Sequence, residues 1–433
     1  MNNQNLLITG LMVLICFSCK KDKDEVPPEI RITAPCSQQQ INATDTLQIA
    51  GTVNDDKNIE NITIQITDEQ LIPVEESLNI PVNQKSYSIN TWFYLENIHL
   101  ETGTYYLEIT AFDGTNTTRE FVELNLLEIS RTRTAVLIAT NPSYHVTYIK
   151  KADTSGAGFR HVFTFNNDIR GIAVSSYYQQ FYFLSKSGRL QAFSFADSAI
   201  VWEKTGLNNP LYEYQGQIRI IDQLVIAGYH SGRFFGFDNY GNTRFSAIIT
   251  PEQYSPRSFA RHHDYLIADL HTTNPYDKFI ELFYYNTGAS AKMKYITFDV
   301  VHFYSYDGDK DRILIWGNDN GQAKVCTLSV YYNLIYDMER TPPGGKLHDV
   351  VKTGTHEYIT AIGSQIYKYD SYYDMYDDFH TGISASVLEY DEYSGEIFAA
   401  DGKTVYALSE SGDVYYQLAA QDTVRAVGLL YNR

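Results

Sequence analysis

The stretch DTVRAVGLLYNR, residues 422–433, holds a single apolar strand and leaves no room for a second. Some three hundred residues earlier the chain reads TAVLIATN (134–141), HVTYIKK (145–151) and RHVFTF (160–165), three strand-like segments in close succession. Runs rich in β-branched and aromatic residues, bounded by Gly, Asn and Ser, are strand signals. One strand at one end and three at the other make a complete four-stranded unit. Sharing such a unit between the two ends closes a ring of sheets and removes the free edges of an open array.

A repeat fills the space between. QLVIAGYHSGRFFGFDNYGNTRFSA (223–247), QQFYFLSKSGRLQAFSFADSAIVWEK (179–204) and EIFAADGKTVYALSESGDVYYQLA (396–419) follow one plan. Each runs strand, Gly turn, aromatic strand, Gly or Ser turn, strand. Opening strands align on Arg170, Gln215, Arg257, His302, His348, Ser386 and Arg425, at spacings of 45, 42, 45, 46, 38 and 39 residues. That period is the size of one propeller blade. The three copies resemble quinoprotein-type and NHL-type blades. The expectation is an all-β chain in which residues 129–433 form a seven-bladed β-propeller closed by the C-terminal strand. The quinoprotein resemblance implies no cofactor here, because no vicinal cysteines accompany it.

Residues 26–128 alternate apolar and polar positions in short segments, the signature of half-buried strands. TVNDDKNIENITIQITD (52–68) and GTYYLEITAFDGTN (103–116) resemble bacterial Ig-like domains, which implies a β-sandwich of six or seven strands. Asp55, Asp56 and Asp113 are either turn residues or acidic calcium positions of the cadherin kind.

The first residues act as an address. LLITGLMVLICF (6–17) is too short to span a bilayer but suits a signal-peptide core. Ser18-Cys19 follows, then KKDKDE (20–25). This resembles a lipobox, with Cys16 in place of the usual leucine, and implies residues 1–18 as signal peptide and Cys19 as the lipidated residue. Acylation there, palmitate included, gives a multi-chain anchor. Residues 19–25 resemble the export signal of Bacteroidota-type surface lipoproteins and equally suit a solvated tether. A plain secretory signal cleaved elsewhere is the alternative.

Composition narrows the function. The net charge is −18 over 433 residues, which argues against nucleic acid as a partner. The 36 Tyr and 22 Phe against 3 Trp favour pleated, half-buried surfaces. No Cys and His stand at metal-ligand spacing, so no metal is expected. In a propeller the opening strands line the central channel. Arg170, Arg257, His302, His348 and Arg425 therefore form a basic mouth suited to a carboxylate, sulfate or uronate. The alternative has them bracing the channel against Asp168, Asp299, Asp349 and Asp422. In YKYDSYYDMYDDF (367–379), Tyr369, Tyr372, Tyr373 and Tyr376 are candidate surface contacts for sugar stacking, or simply a Tyr/Asp hairpin. Asp307, Asp309 and Asp311 alternate as in a calcium loop, but Arg312 and Asn318 stand where such a loop needs Gly and Glu. His262-His263-Asp264, with His271 nearby, lacks any nucleophile motif.

These features resemble Ig-plus-propeller lipoproteins that partner SusC/SusD-type nutrient-uptake systems. The resemblance implies a non-enzymatic outer-membrane protein at the cell surface, binding a glycan or peptide beside a TonB-dependent transporter. A surface enzyme acting on charged polysaccharide, and an adhesin or scaffold, are the rival expectations.

Overall fold

The computed structural model describes residues 25–153, 158–205, 217–229, 233–248, 254–272 and 277–433. The leader, Cys19 and the Gln215 anchor lie outside them. Among the described residues every regular element is a strand. The chain divides into two compact units, Met1–Ser130 and Arg131–Arg433.

In the first unit six strands join in one hydrogen-bonded sheet. Its spine is Thr46–Thr67, 22 residues long, which pairs along its length with Leu78–Tyr94. The first half of the spine also pairs with Glu29–Ala34 and the second half with Gly103–Phe112. The ladder breaks between Asn54 and Ile59, where Asp55 Oδ1 accepts the N–H groups of Lys57 and Asn58. Leu47, Ile49 and Val53 before the break and Ile62, Ile64 and Ile66 after it enter the same core. One bent sheet thus does the work expected of two separate ones, because a single long strand serves both halves. Asp113 caps its own turn through Thr115 N and Asn116 N, both at 2.6 Å.

The second unit is a β-propeller built from four-stranded antiparallel sheets. Sheet 1 consists of Ile169–Ser175, Gln180–Ser185, Leu190–Ser194 and Ile200–Lys204, in that order. Sheets 2 to 6 repeat the order, starting from Ile218–Ile221, Ser255–His262, Asp299–Ser305, Leu347–Lys352 and Val387–Tyr390. Sheet 7 takes its first strand, Thr423–Tyr431, from the end of the chain. Its other three, Arg133–Ser143, Val146–Asp153 and Arg160–Phe165, come from the start of the unit.

The burial pattern explains this order. Second strands are the most buried, such as Gln180–Ser185, buried at every position. Such strands have a neighbouring sheet on both faces. Fourth strands alternate, as in Thr243–Ile248, because one face meets solvent. Among the described residues seven separate apolar clusters form, each shared by two consecutive sheets, and sheet 7 shares one with sheet 6 and one with sheet 1. First strands approach each other closely around the axis. A Cβ on Gly171 would stand 3.0 Å from Ile218 Cγ2, and one on Gly428 2.9 Å from Val174 Cγ2.

Candidate functional site

Inside the ring of first strands lies a cavity of about 680 Å³, lined by residues from sheets 1, 2, 4, 5, 6 and 7. Arg170, His302, His348 and Arg425 all line it. Arg170, His348 and Arg425 each occupy a β-bulge, one unpaired residue between Ile169 and Gly171, Leu347 and Asp349, and Val424 and Ala426. A bulge re-aims the side chain of the extra residue, and here it brings three basic groups to the start of their strands. His348 and Arg425 are exposed, and Arg170 is half-buried.

Two of the five expected mouth residues sit otherwise. In sheet 4 the bulged residue is Val301, between Val300 and His302. His302 is therefore one step further along and points into the cavity rather than standing at its rim. Arg257 does not line the cavity. The bulge in its strand spans two residues, between Pro256 and Phe259, and Arg257 is exposed there. Its charge acts on Asp269 and Asp299 instead, while its carbonyl accepts Gln217 N at 3.0 Å.

Deeper in the cavity, alternate positions of the first strands assemble a polar chain. Arg219 Nη2 donates to His302 Nδ1, and His302 Nε2–H donates to Asp349 Oδ1 at 2.7 Å. A guanidinium only donates, so His302 must be the neutral Nε2–H tautomer. Burial, then the adjacent Arg219 charge, lowers the His302 pKa and outweighs Asp349. Asp349 also accepts Val350 N at 2.9 Å and Leu388 N at 2.8 Å. Gln217 steadies Arg219 through Nε at 3.2 Å. Tyr304 gives its hydroxyl proton to Val350 O at 2.8 Å.

Glu389, the third residue of Val387–Tyr390, completes the lining on that side. Burial, then the Asp349 carboxylate, pushes its carboxyl up to about 8, against the pull of Arg219. No hydrogen bond holds it among the described residues. Neither Arg219 nor Glu389 stood among the expected site residues. The signal for both was a charged residue inside a short apolar strand, in IRII (218–221) and VLEY (387–390). Of the four acidic residues expected as braces, Asp349 bonds an expected basic residue, His302. Asp168, Asp299 and Asp422 pair with Lys186, Lys278 and Lys150.

The tyrosine run separates. Tyr372 and Tyr373 are 67% and 68% exposed at a hairpin tip, whereas Tyr369 is fully buried. Tyr369 packs 5.1 Å from Trp316 and gives its hydroxyl proton to Asp374 Oδ1 at 2.9 Å, so it belongs to the core. Tyr376 is half-buried, with its ring 4.5 Å from that of Tyr369, and is no surface contact either. Alternation along the two strands of the hairpin turns both rings inward.

The other polar motifs have structural partners. His262 is buried with Ser305 Oγ at 2.9 Å and Lys310 O at 3.0 Å, joining sheets 3 and 4. Asp307, Asp309 and Asp311 turn to Lys352, Arg312 and Ser329 respectively, so the loop does not converge on one point.

No protein-family model matches the chain, and no curated protein matches it. Among solved structures, it is similar to a quinonprotein alcohol dehydrogenase-like protein from Bacteroides thetaiotaomicron VPI-5482, at 10% identity. That alignment covers 93% of this chain and 99% of the other with a TM-score of 0.46. BamB from Moraxella catarrhalis aligns at 13% identity over 68% of this chain and 90% of that one, with a TM-score of 0.39.

Proposed function

We propose that this chain is a non-enzymatic surface lipoprotein of the outer membrane, anchored through Cys19. In this reading an Ig-like domain carries a closed seven-bladed propeller that binds an extracellular glycan or peptide bearing an anionic group. Its role is accessory to a SusC/SusD-type uptake system with a TonB-dependent transporter. The observation that carries the binding reading is the cavity itself. Arg170, Arg219 and Arg425 converge in it with His348, inside a protein of net charge −18. A basic concavity in an acidic protein focuses field lines and draws anions toward it. Bidentate guanidinium–carboxylate pairing then fixes their orientation.

The test is titration of the full chain with a uronate, D-glucuronate, with neutral glucose as control. Binding of glucuronate alone, lost when Arg170, His348 and Arg425 are together changed to alanine and kept in Arg257→Ala, supports the reading. Equal binding by the triple variant would place the site elsewhere. For the address, labelled palmitate should enter the wild type and not Cys19→Ala; label retained in the variant refutes the anchor.

A further inference from the structure

We propose that the cavity takes its ligand as a carboxylate held between the Arg219 guanidinium and a protonated Glu389, so that loss of one proton from Glu389 releases it. This rests on the cavity being the binding site and adds the ligand's chemistry and its control.

Three observations converge on it. The first is which groups in the cavity have partners. Asp349 already accepts from His302, Val350 N and Leu388 N, and Tyr304 is committed to Val350 O. Arg219 engages Gln217 through Nε and His302 through Nη2, which leaves Nη1 without a hydrogen bond among the described residues. The Glu389 carboxyl likewise has none. A carboxylate accepts from both at once, one oxygen from the guanidinium and the other from the Glu389 hydroxyl. Charge-assisted bonds of this kind are the stronger class.

The second observation is charge. Guanidinium groups at Arg170, Arg219 and Arg425 line the cavity, against the one ionised carboxylate of Asp349 when Glu389 is neutral. His302 adds no charge in its neutral form. The lining is thus net basic, which favours an anion over a neutral ligand.

The third is what surrounds Glu389. From Leu347–Lys352 it faces Asp349, with His348 at the rim. From Thr423–Tyr431 it faces Arg425, and Tyr431, whose hydroxyl serves Asp391. Arg219, Arg170, His302 and Tyr304 stand across the cavity, and Asp401 in the neighbouring strand of its own sheet is engaged by Ser384 N. Ionised Glu389 would put a second negative charge beside Asp349 and set it against that of the ligand. Its carboxyl, held near 8, therefore works as a hydrogen-bond donor at neutral pH and as a repulsive group above it.

The experiment is isothermal titration of the full chain with D-glucuronate at pH values from 7 to 9.5, where the ligand stays ionised. Wild type should hold a nearly constant Kd to pH 7.5 and then weaken about tenfold per unit above pH 8, as coupling to one proton requires. Glu389→Gln keeps an N–H donor and cannot titrate, so its Kd should stay flat across the range. Glu389→Ala should bind weakly at every pH. Glucuronate binding that depends on Arg170, His348 and Arg425 yet ignores both pH and Glu389→Gln overturns this proposal and leaves the binding site standing. Absence of binding at pH 7 in a folded wild type, checked by circular dichroism, overturns both.

Discussion

Consider Asp391 replaced by alanine. Its side chain is fully buried in the turn after Val387–Tyr390, and it accepts Arg133 Nη1 at 2.6 Å and the Tyr431 hydroxyl at 3.0 Å. It also accepts Ser394 Oγ at 2.7 Å and Tyr393 N at 3.1 Å. Arg133 and Tyr431 stand on the two strands that join the ends of the propeller. The carboxylate therefore ties sheet 7 to sheet 6 by both its early and its late strand. Removing one partner of a buried pair costs about 3–5 kcal/mol. Arg133 keeps its bond to Glu396 and its place 4.7 Å from the Phe398 ring, so the lower end, about 3 kcal/mol, is expected. Urea unfolding followed by tryptophan fluorescence suits the measurement, because Trp202 and Trp316 report on the propeller and Trp92 on the other unit. At a slope of about 3 kcal/mol per molar, the midpoint should fall by about 1 M. Burial alone would raise the Asp391 carboxyl, yet Ser394, Tyr393, Tyr431 and Arg133 hold it below the ordinary range. Its contribution is thus complete at neutral pH and disappears as pH falls through the ordinary carboxylate value toward the folded one. The gap between wild type and variant should close accordingly below about pH 4. A difference under about 1 kcal/mol at pH 7, or one that persists unchanged at pH 3, would refute the latch.

Tyr369→Ala should cost about 3–5 kcal/mol in the same assay, whereas Tyr372→Ala and Tyr373→Ala should each stay within about 0.5 kcal/mol. Equal losses at all three would overturn the division of the run into core and tip. Both described cysteines are free thiols, one exposed and one buried. Burial pushes the Cys326 thiol up to about 12, so a thiol reagent at pH 8 should label Cys36 within minutes and Cys326 only after denaturation. Rapid labelling of Cys326 in the native protein would show that the core of sheet 4 opens.

Much of the architecture was legible because strand order leaves a chemical trace. Second strands have apolar centres, as in LVIAGY (224–229), and fourth strands alternate, so each unit announces its own sequence of layers. Turns with Gly or Asn at the tip punctuate them, and the unmatched strand at 423–431 has its three partners at 133–165. The cavity was legible only in outline. Arg170, His348 and Arg425 were found because bulges keep the residue type in phase with the repeat. His302 was misplaced by one residue and Arg257 lost, since the length of a bulge is set by how neighbouring sheets pack and leaves no local pattern. Arg219 and Glu389 were missed because each looks like a surface charge on a strand. Only the ring turns those faces inward. The inner side of Tyr369 was hidden for the opposite reason: five tyrosines within ten residues look alike until pairing with Met375–Thr381 assigns each a face.

The sharing of sheet 7 between distant stretches sets an order of events. As the chain emerges, six sheets can form from neighbouring residues, each over about forty positions. The strand Arg133–Ser143 must wait, with its inner hydrogen-bonding edge open, until residues 423–431 arrive. Long-range pairing of this sort is slow, and an unpaired strand edge is a template for another chain. The molecule is accordingly most vulnerable to self-association until residues 423–431 have paired with Arg133–Ser143. Chains cut before residue 423 should therefore aggregate rather than close into shortened rings.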